Sequence, residues 1–157
     1  IMTAKAERSI LPVRVRVEEG EGRRVRGRAR TQHLEADFPE VWGGTDAHAT
    51  PLEHLAFALG ACFVATARTQ AILRGLPLRS VSARVEGDLD LTTPLADPGA
   101  PIALPSLSLR VNLEAPWSPE EKRAFLESVA RRCPVCHAVG EALPLDLVCE
   151  GAPGEEP

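Results

Sequence analysis

Hydrophobic and polar positions along this chain follow two periods, one of strands and one of helices. Residues 10 to 19, ILPVRVRVEE, alternate: Val13, Val15 and Val17 face one way, Arg14, Arg16 and Glu18 the other. That is the period of a half-buried strand. Gly20-Glu21-Gly22 is a turn, so a hairpin partner is expected from Arg23 to Arg30. His33 to Phe38 reads as a third short strand, followed by Pro39 and a loop of turn formers, WGGTDAHAT. From Thr50 to Arg74 the period lengthens to that of a helix. Thr50, Pro51 and Glu53 supply a capping box with proline at the first turn. Gly75, with Pro77 just beyond, supplies the stop. Leu55, Leu59, Cys62, Thr66, Thr69 and Leu73 recur at steps of three and four and predict one buried stripe.

Alternation returns from Leu78 to Leu91 and again through Leu107, Leu109, Val111 and Leu113, two runs expected to pair across a Pro-rich loop. Ser118-Pro119-Glu120-Glu121 repeats the helix-start signature and opens a helix expected to reach Arg132. Pro134 opens a short third helix, which puts Cys133 at its cap, and Leu143 to Cys149 reads as a last strand. Strands, helix, strands, helices, strand in that order make the fold class α+β, with mainly antiparallel pairing. So long an apolar stripe needs a large cover, and a homodimer packing two such helices together provides one.

Composition narrows the classes. The 157 residues suit one domain, with residues 1–8 and 151–157 expected as frayed tails. A net charge of −4 argues against nucleic acid as a partner. No uninterrupted apolar run reaches the length of a membrane span, and IMTAKAERSILPV lacks a signal peptide's apolar core. A cytoplasmic location without stable disulfides is therefore expected. In that compartment the four cysteines, Cys62, Cys133, Cys136 and Cys149, point to catalysis, metal or core filling.

Cys133-x-x-Cys136-His137 fits three patterns. Haem attachment needs export and a second axial ligand, and the chain's only methionine is Met2. Zinc wants four N or S ligands, and beyond Cys149 no second pair is evident. A redox pair needs a thiolate, which a helix N-terminus favours at Cys133. Cys62, in mid-helix, gets little from its own dipole. It is either a small core residue or a nucleophile held ionised by a cation, and the basic strand of Arg23, Arg24, Arg26, Arg28 and Arg30 is the nearest supply. That strand read alone is a solvated edge, where charge blocks aggregation.

GGTDAHATPLEHLAFALGACFVAT, the strand VEGDLDL and the late RRCPVCHAVG together resemble the OsmC/Ohr family of osmotically inducible and organic-hydroperoxide-resistance proteins. The resemblance implies an intertwined α+β homodimer with two active sites at its interface. It also implies a cysteine-based peroxidase without cofactor or resident metal. In that chemistry one cysteine attacks a hydroperoxide, becomes a sulfenic acid and condenses with a second, and an external thiol reductant recycles the disulfide. By position Cys62 matches the attacking cysteine and Cys133 the resolving one, with Cys136 as an alternative resolver. Arg23 and Arg24 match the region of the thiolate-activating arginine. The glutamate that follows the helix proline in the hydroperoxide branch is replaced by Leu52, and Glu53 is read as a cap. Two further readings follow: a catalytically weak OsmC-like dimer serving as a binding or scaffold protein, and metal binding through Cys133, Cys136 and His137. Phe57, Leu59 and Phe63 are expected to line an apolar peroxide pocket.

Overall fold

The computed structural model describes residues 10–90, 97–102 and 104–141. The expected last strand, with Cys149, and both tails lie outside them. The described residues form antiparallel sheets and helices, the α+β class read from the sequence. The chain divides into two compact units, Ile1–Leu55 and Ala56–Pro157.

In the first unit β1 (Arg16–Glu19), β2 (Val25–Ala29) and β3 (Gln32–Ala36) form an antiparallel meander in that order. Gly22 turns the first hairpin at φ 66°, a conformation that suits glycine. Arg26 of β2 lies between Glu18 on β1 and Glu35 on β3, so charge alternates across the exposed face. Opposite charges directly across a ladder stabilise it, which gives part of the basic strand a structural use. A 3-10 turn, Glu40–Trp42, follows and ends at Gly43.

That loop closes on a buried carboxylate. Asp37, fully buried, accepts hydrogen bonds from the Phe38 amide (2.8 Å), the Thr45 amide (3.1 Å), the Thr45 hydroxyl (2.6 Å) and the Ala47 amide (3.2 Å). The Thr45 hydroxyl bond is the largest influence on its carboxyl; with the amides it overcomes burial and holds the group well below the usual carboxylate range. A side chain at Gly44 would run into the Phe38 carbonyl and the Asp37 carboxylate, so glycine is required there.

Helix α1 (Pro51–Leu73) starts as the sequence predicts. Thr50 Oγ1 accepts the Glu53 amide (3.3 Å), while the Glu53 carboxylate accepts the Thr50 amide (2.7 Å) and hydroxyl (2.9 Å). It stops at Gly75, φ 61°, where the Leu76 amide reaches back to the Ala71 carbonyl (2.9 Å). The buried face differs from the predicted stripe. Leu59, Phe63, Ala67, Gln70 and Ala71 are buried, whereas Leu55, Thr69 and Leu73 are exposed. Phe63 has more apolar area than Cys62 and takes the inward position, and Ala67 and Ala71 leave room for the elements packed on them. Cys62 is left half-buried beside that face.

In the second unit β4 (Ser80–Glu86) and β5 (Ser108–Glu114) pair antiparallel as expected, Val81 against Leu113, Ala83 against Val111 and Val85 against Leu109. Helix α2 (Pro119–Arg132) carries its own capping box between Ser118 and Glu121. Helix α3 (Pro134–Glu141) follows after one residue. The core joins Phe63, Ala67 and Ala71 of α1 to Leu78, Leu113 of β5, Phe125 and Val129 of α2, and Cys133. Gln70 is buried but satisfied: its amide oxygen accepts the Ser128 hydroxyl (2.9 Å) and its amide nitrogen donates to the Ser128 carbonyl (3.3 Å). By length and a mean hydropathy of 1.4, α1 passes the composition test for a membrane span, although no uninterrupted apolar run does. Its place in this core makes it a core helix.

Candidate functional site

Three cysteines meet in the second unit. Cys62 comes from the middle of α1. Cys133 sits between two helices: its amide donates to the Ala130 carbonyl (3.3 Å) as α2 ends, and its carbonyl accepts the His137 amide (3.1 Å) as α3 begins. With only 1% of its surface exposed, Cys133 is part of the core, and Cys62, Val135 and Cys136 pack against it. The Cys136 amide donates to Cys133 Sγ at 3.5 Å. The Cys62 and Cys136 thiols both act on the Cys133 thiol and lower it. It is the middle sulfur of three.

Their surroundings divide the proton unequally. Burial pushes the Cys62 thiol up; the Val135 amide opposes this, the Cys133 thiol and its charge add to the rise, and the Thr66 hydroxyl lowers it slightly. Burial acts on Cys133 too, but the Cys136 amide, the Cys136 and Cys62 thiols and the Val135 amide together bring it below the ordinary value. Cys136 is pushed up to about 12, first by burial, then by its bond to Cys133 and the charges of Cys133 and Cys62. Of the three thiols, Cys133, where the first amides of α3 converge, therefore ionises most readily. Titration belongs to the group of thiols rather than to any one of them.

The other predicted residues are placed as follows. The Arg23 guanidinium stacks on Phe38, 4.7 Å from the ring centre. Arg24 donates to Thr45 Oγ1 (3.3 Å) and lies 4.0 Å from Asp37 Oδ2. Both sets of contacts lie within the first unit. The groups named above as acting on Cys62 within its own unit are an amide, a hydroxyl and a thiol. Leu52 is exposed and Glu53 caps α1, the role read for it. Of the residues expected to line a peroxide pocket, Leu59 and Phe63 are buried, while Phe57 is exposed and lines a shallow apolar groove with Gly60, Ala61, Val64 and Val85. His137 faces Glu141 one turn along α3, at 3.4 Å. Among the described residues, no three His, Cys, Asp or Glu side chains are grouped to hold a metal.

Sequence reasoning passed over two contributors. Thr66, four residues after Cys62, shares its face of α1, and that spacing was visible. The Val135 amide left no signal, because its direction depends on where α3 docks.

The profile of the OsmC-like protein family matches residues 44–148, which contain all three thiols. The chain belongs to the OsmC-like family. The resemblance read from the Gly-Gly-Thr-Asp loop, the helix start and the late Cys-Pro-Val is thus borne out. No curated protein sequence matches the chain. Among solved structures, it is similar to an OsmC-like protein from Mycoplasma pneumoniae, with 19% identity, a TM-score of 0.70, and coverage of 84% of this chain and 89% of that one. It is also similar to an organic hydroperoxide resistance protein OsmC, described as a predicted redox protein, from Legionella pneumophila. There the identity is 20%, the TM-score 0.67 and the coverage 84% and 91%. An organic hydroperoxide resistance protein from Elizabethkingia anophelis, with thiocyanate bound, gives 17% identity, a TM-score of 0.66 and coverage of 83% and 89%. At these identities the likeness shows that the OsmC-like chain shares their fold.

Proposed function

We propose that this OsmC-like chain is a thiol-dependent peroxidase that reduces organic hydroperoxides or hydrogen peroxide. The observation that carries the reading is the packing of Cys62, from α1, against the core that holds Cys133 at the junction of α2 and α3. The hydroperoxide resistance names of its structural neighbours agree with it. Access makes Cys62 the attacker, since Cys62 is half-buried and Cys133 is closed off. Cys133 ionises first, and as Cys62 sulfur attacks the outer peroxide oxygen its proton passes to the Cys133 thiolate. The O–O bond breaks, the departing alkoxide takes a proton to become the alcohol, and Cys62 becomes a sulfenic acid. Cys133 then ionises again and attacks Cys62 sulfur; a disulfide forms and the hydroxyl leaves as water. An external dithiol restores both thiols. In this reading the Val135 amide and the Thr66 hydroxyl hold the developing charge on Cys62, work that the sequence assigned to Arg23 or Arg24.

The test is steady-state peroxide consumption with a dithiol reductant. Wild type is expected to turn over and Cys62→Ser to lose turnover; undiminished activity in the variant rules the mechanism out. One observation favours the alternative of a catalytically weak dimer used for binding: Cys62 is raised, and Leu52 stands where a glutamate is expected. Cysteines that react with peroxide no faster than free cysteine would decide for it.

A further inference from the structure

We propose that Cys136 is a third redox thiol, which takes the disulfide over from Cys62 so that the oxidised protein carries a Cys133–Cys136 bridge. The inference rests on the peroxidase reading and adds a step to it. Cys133, the middle sulfur, can pair on either side. Toward Cys62 it reaches another helix; toward Cys136 it reaches three residues along, across the first turn of α3. The Cys136 amide already sits 3.5 Å from Cys133 Sγ, and both residues belong to one packed cluster, so the two sulfurs start as neighbours. A Cys-x-x-Cys pair at a helix N-terminus is the arrangement that disulfide oxidoreductases use.

The step needs no further oxidant. Cys136 loses its proton and its sulfur attacks Cys133 Sγ of the Cys62–Cys133 disulfide. The Cys133–Cys136 bond forms, the Cys62–Cys133 bond breaks, and Cys62 leaves as a thiolate. At rest Cys136 is poorly placed to attack, since burial, the Cys133 thiol and any charge on Cys133 or Cys62 all keep it protonated. Joining Cys62 to Cys133 leaves neither sulfur able to carry a charge, and burial remains as the main obstacle. Formation of the first disulfide thereby readies the third thiol. The product spans the first turn of an eight-residue helix, with Cys136 partly exposed to an attacking reductant, and Cys62 is free again.

Wild type, Cys62→Ser and Cys136→Ser are each treated with cumene hydroperoxide without reductant. Disulfides are mapped by non-reducing digestion and mass spectrometry. The relay predicts a Cys133–Cys136 bridge in wild type at the first equivalent. A second equivalent is then consumed as Cys62 becomes a sulfenic acid that dimedone traps. Cys136→Ser should stop after one equivalent with Cys62 joined to Cys133, and Cys62→Ser should form no bridge. A wild type that stops at one equivalent with only Cys62–Cys133 overturns the relay and leaves the peroxidase standing. A bridge that forms equally well in Cys62→Ser overturns it too, because the pair then oxidises without Cys62. Wild type that consumes no peroxide fails both proposals. If Cys62→Ser does not fold, Cys62→Ala takes its place, and a wild-type map with only Cys62–Cys133 overturns the relay without any variant.

Discussion

Replacing Cys133 by alanine should make Cys62 more reactive. Cys133 is the thiol of the cluster that ionises most readily, and its charge, once formed, raises the Cys62 thiol. Removing the sulfur removes that charge, while the Val135 amide and Thr66 hydroxyl remain to stabilise a thiolate on Cys62. Coulomb's law sets the scale: two unit charges about 4 Å apart near a protein surface repel by about 4 kcal/mol. Cys62 is only half-buried, so solvent screens part of this. If about a quarter survives, roughly 1 kcal/mol, the ionised fraction of Cys62 rises about five-fold, because about 1.4 kcal/mol corresponds to ten-fold. The assay is alkylation by iodoacetamide near neutral pH, with modification of Cys62 read by mass spectrometry in wild type and Cys133→Ala. The variant's Cys62 should alkylate about five-fold faster near neutrality. The two rates should converge at high pH, where Cys62 is ionised in both, and that convergence separates a change in ionisation from a change in access. Equal or slower alkylation near neutrality refutes the assignment of the charge to Cys133.

Two further outcomes test other parts of the structure. Asp37 is depressed in the folded protein, so its contribution to stability is complete above the unfolded value, about 4, and is lost as pH falls toward the folded one. Denaturation midpoints of wild type should therefore fall more steeply below about pH 4 than those of Asp37→Asn, and parallel curves would show that the carboxylate is not held as described. Phe57, Ile72 and Leu73 of α1 are 73, 70 and 76% exposed, an apolar area that a second copy is proposed to cover. Sedimentation equilibrium is expected to give a homodimer, and a monomer at high micromolar concentration removes that proposal.

Local signals carried most of the secondary structure. Both capping boxes, the Gly75 stop, the Gly22 turn and the pairing of β4 with β5 form as spacing and side-chain chemistry imply. Each depends on residues close in sequence or on a period repeated in two runs. The buried face of α1 was harder, because apolar residues nearly encircle that helix: Leu55, Phe57, Phe63, Ile72 and Leu73 permit more than one stripe. Only the shapes of β5 and α2 select the face with Phe63. Asp37 went unremarked for a related reason. Its value lies in backbone amides that the Gly44–Ala47 loop turns toward it, and a sequence shows acceptors without showing which amides will be aimed at them.

The same asymmetry makes an arginine easier to nominate for Cys62 than an amide. Charged side chains can be counted along a sequence, so a mid-helix thiol that needs stabilising sends the reader to the nearest basic run. Backbone amides are present at nearly every residue and carry no distinguishing letter. At Cys133 one proline makes them legible, because Pro134 announces that a helix starts there and that its first amides are unpaired. What no letter announces is that the same helix end also serves Cys62, through the Val135 amide. If that amide takes the place of a guanidinium, the influence on Cys62 comes through hydrogen bonding at short range rather than through a full charge. It should then respond weakly to salt, since screening weakens distant exposed charges far more than a buried contact.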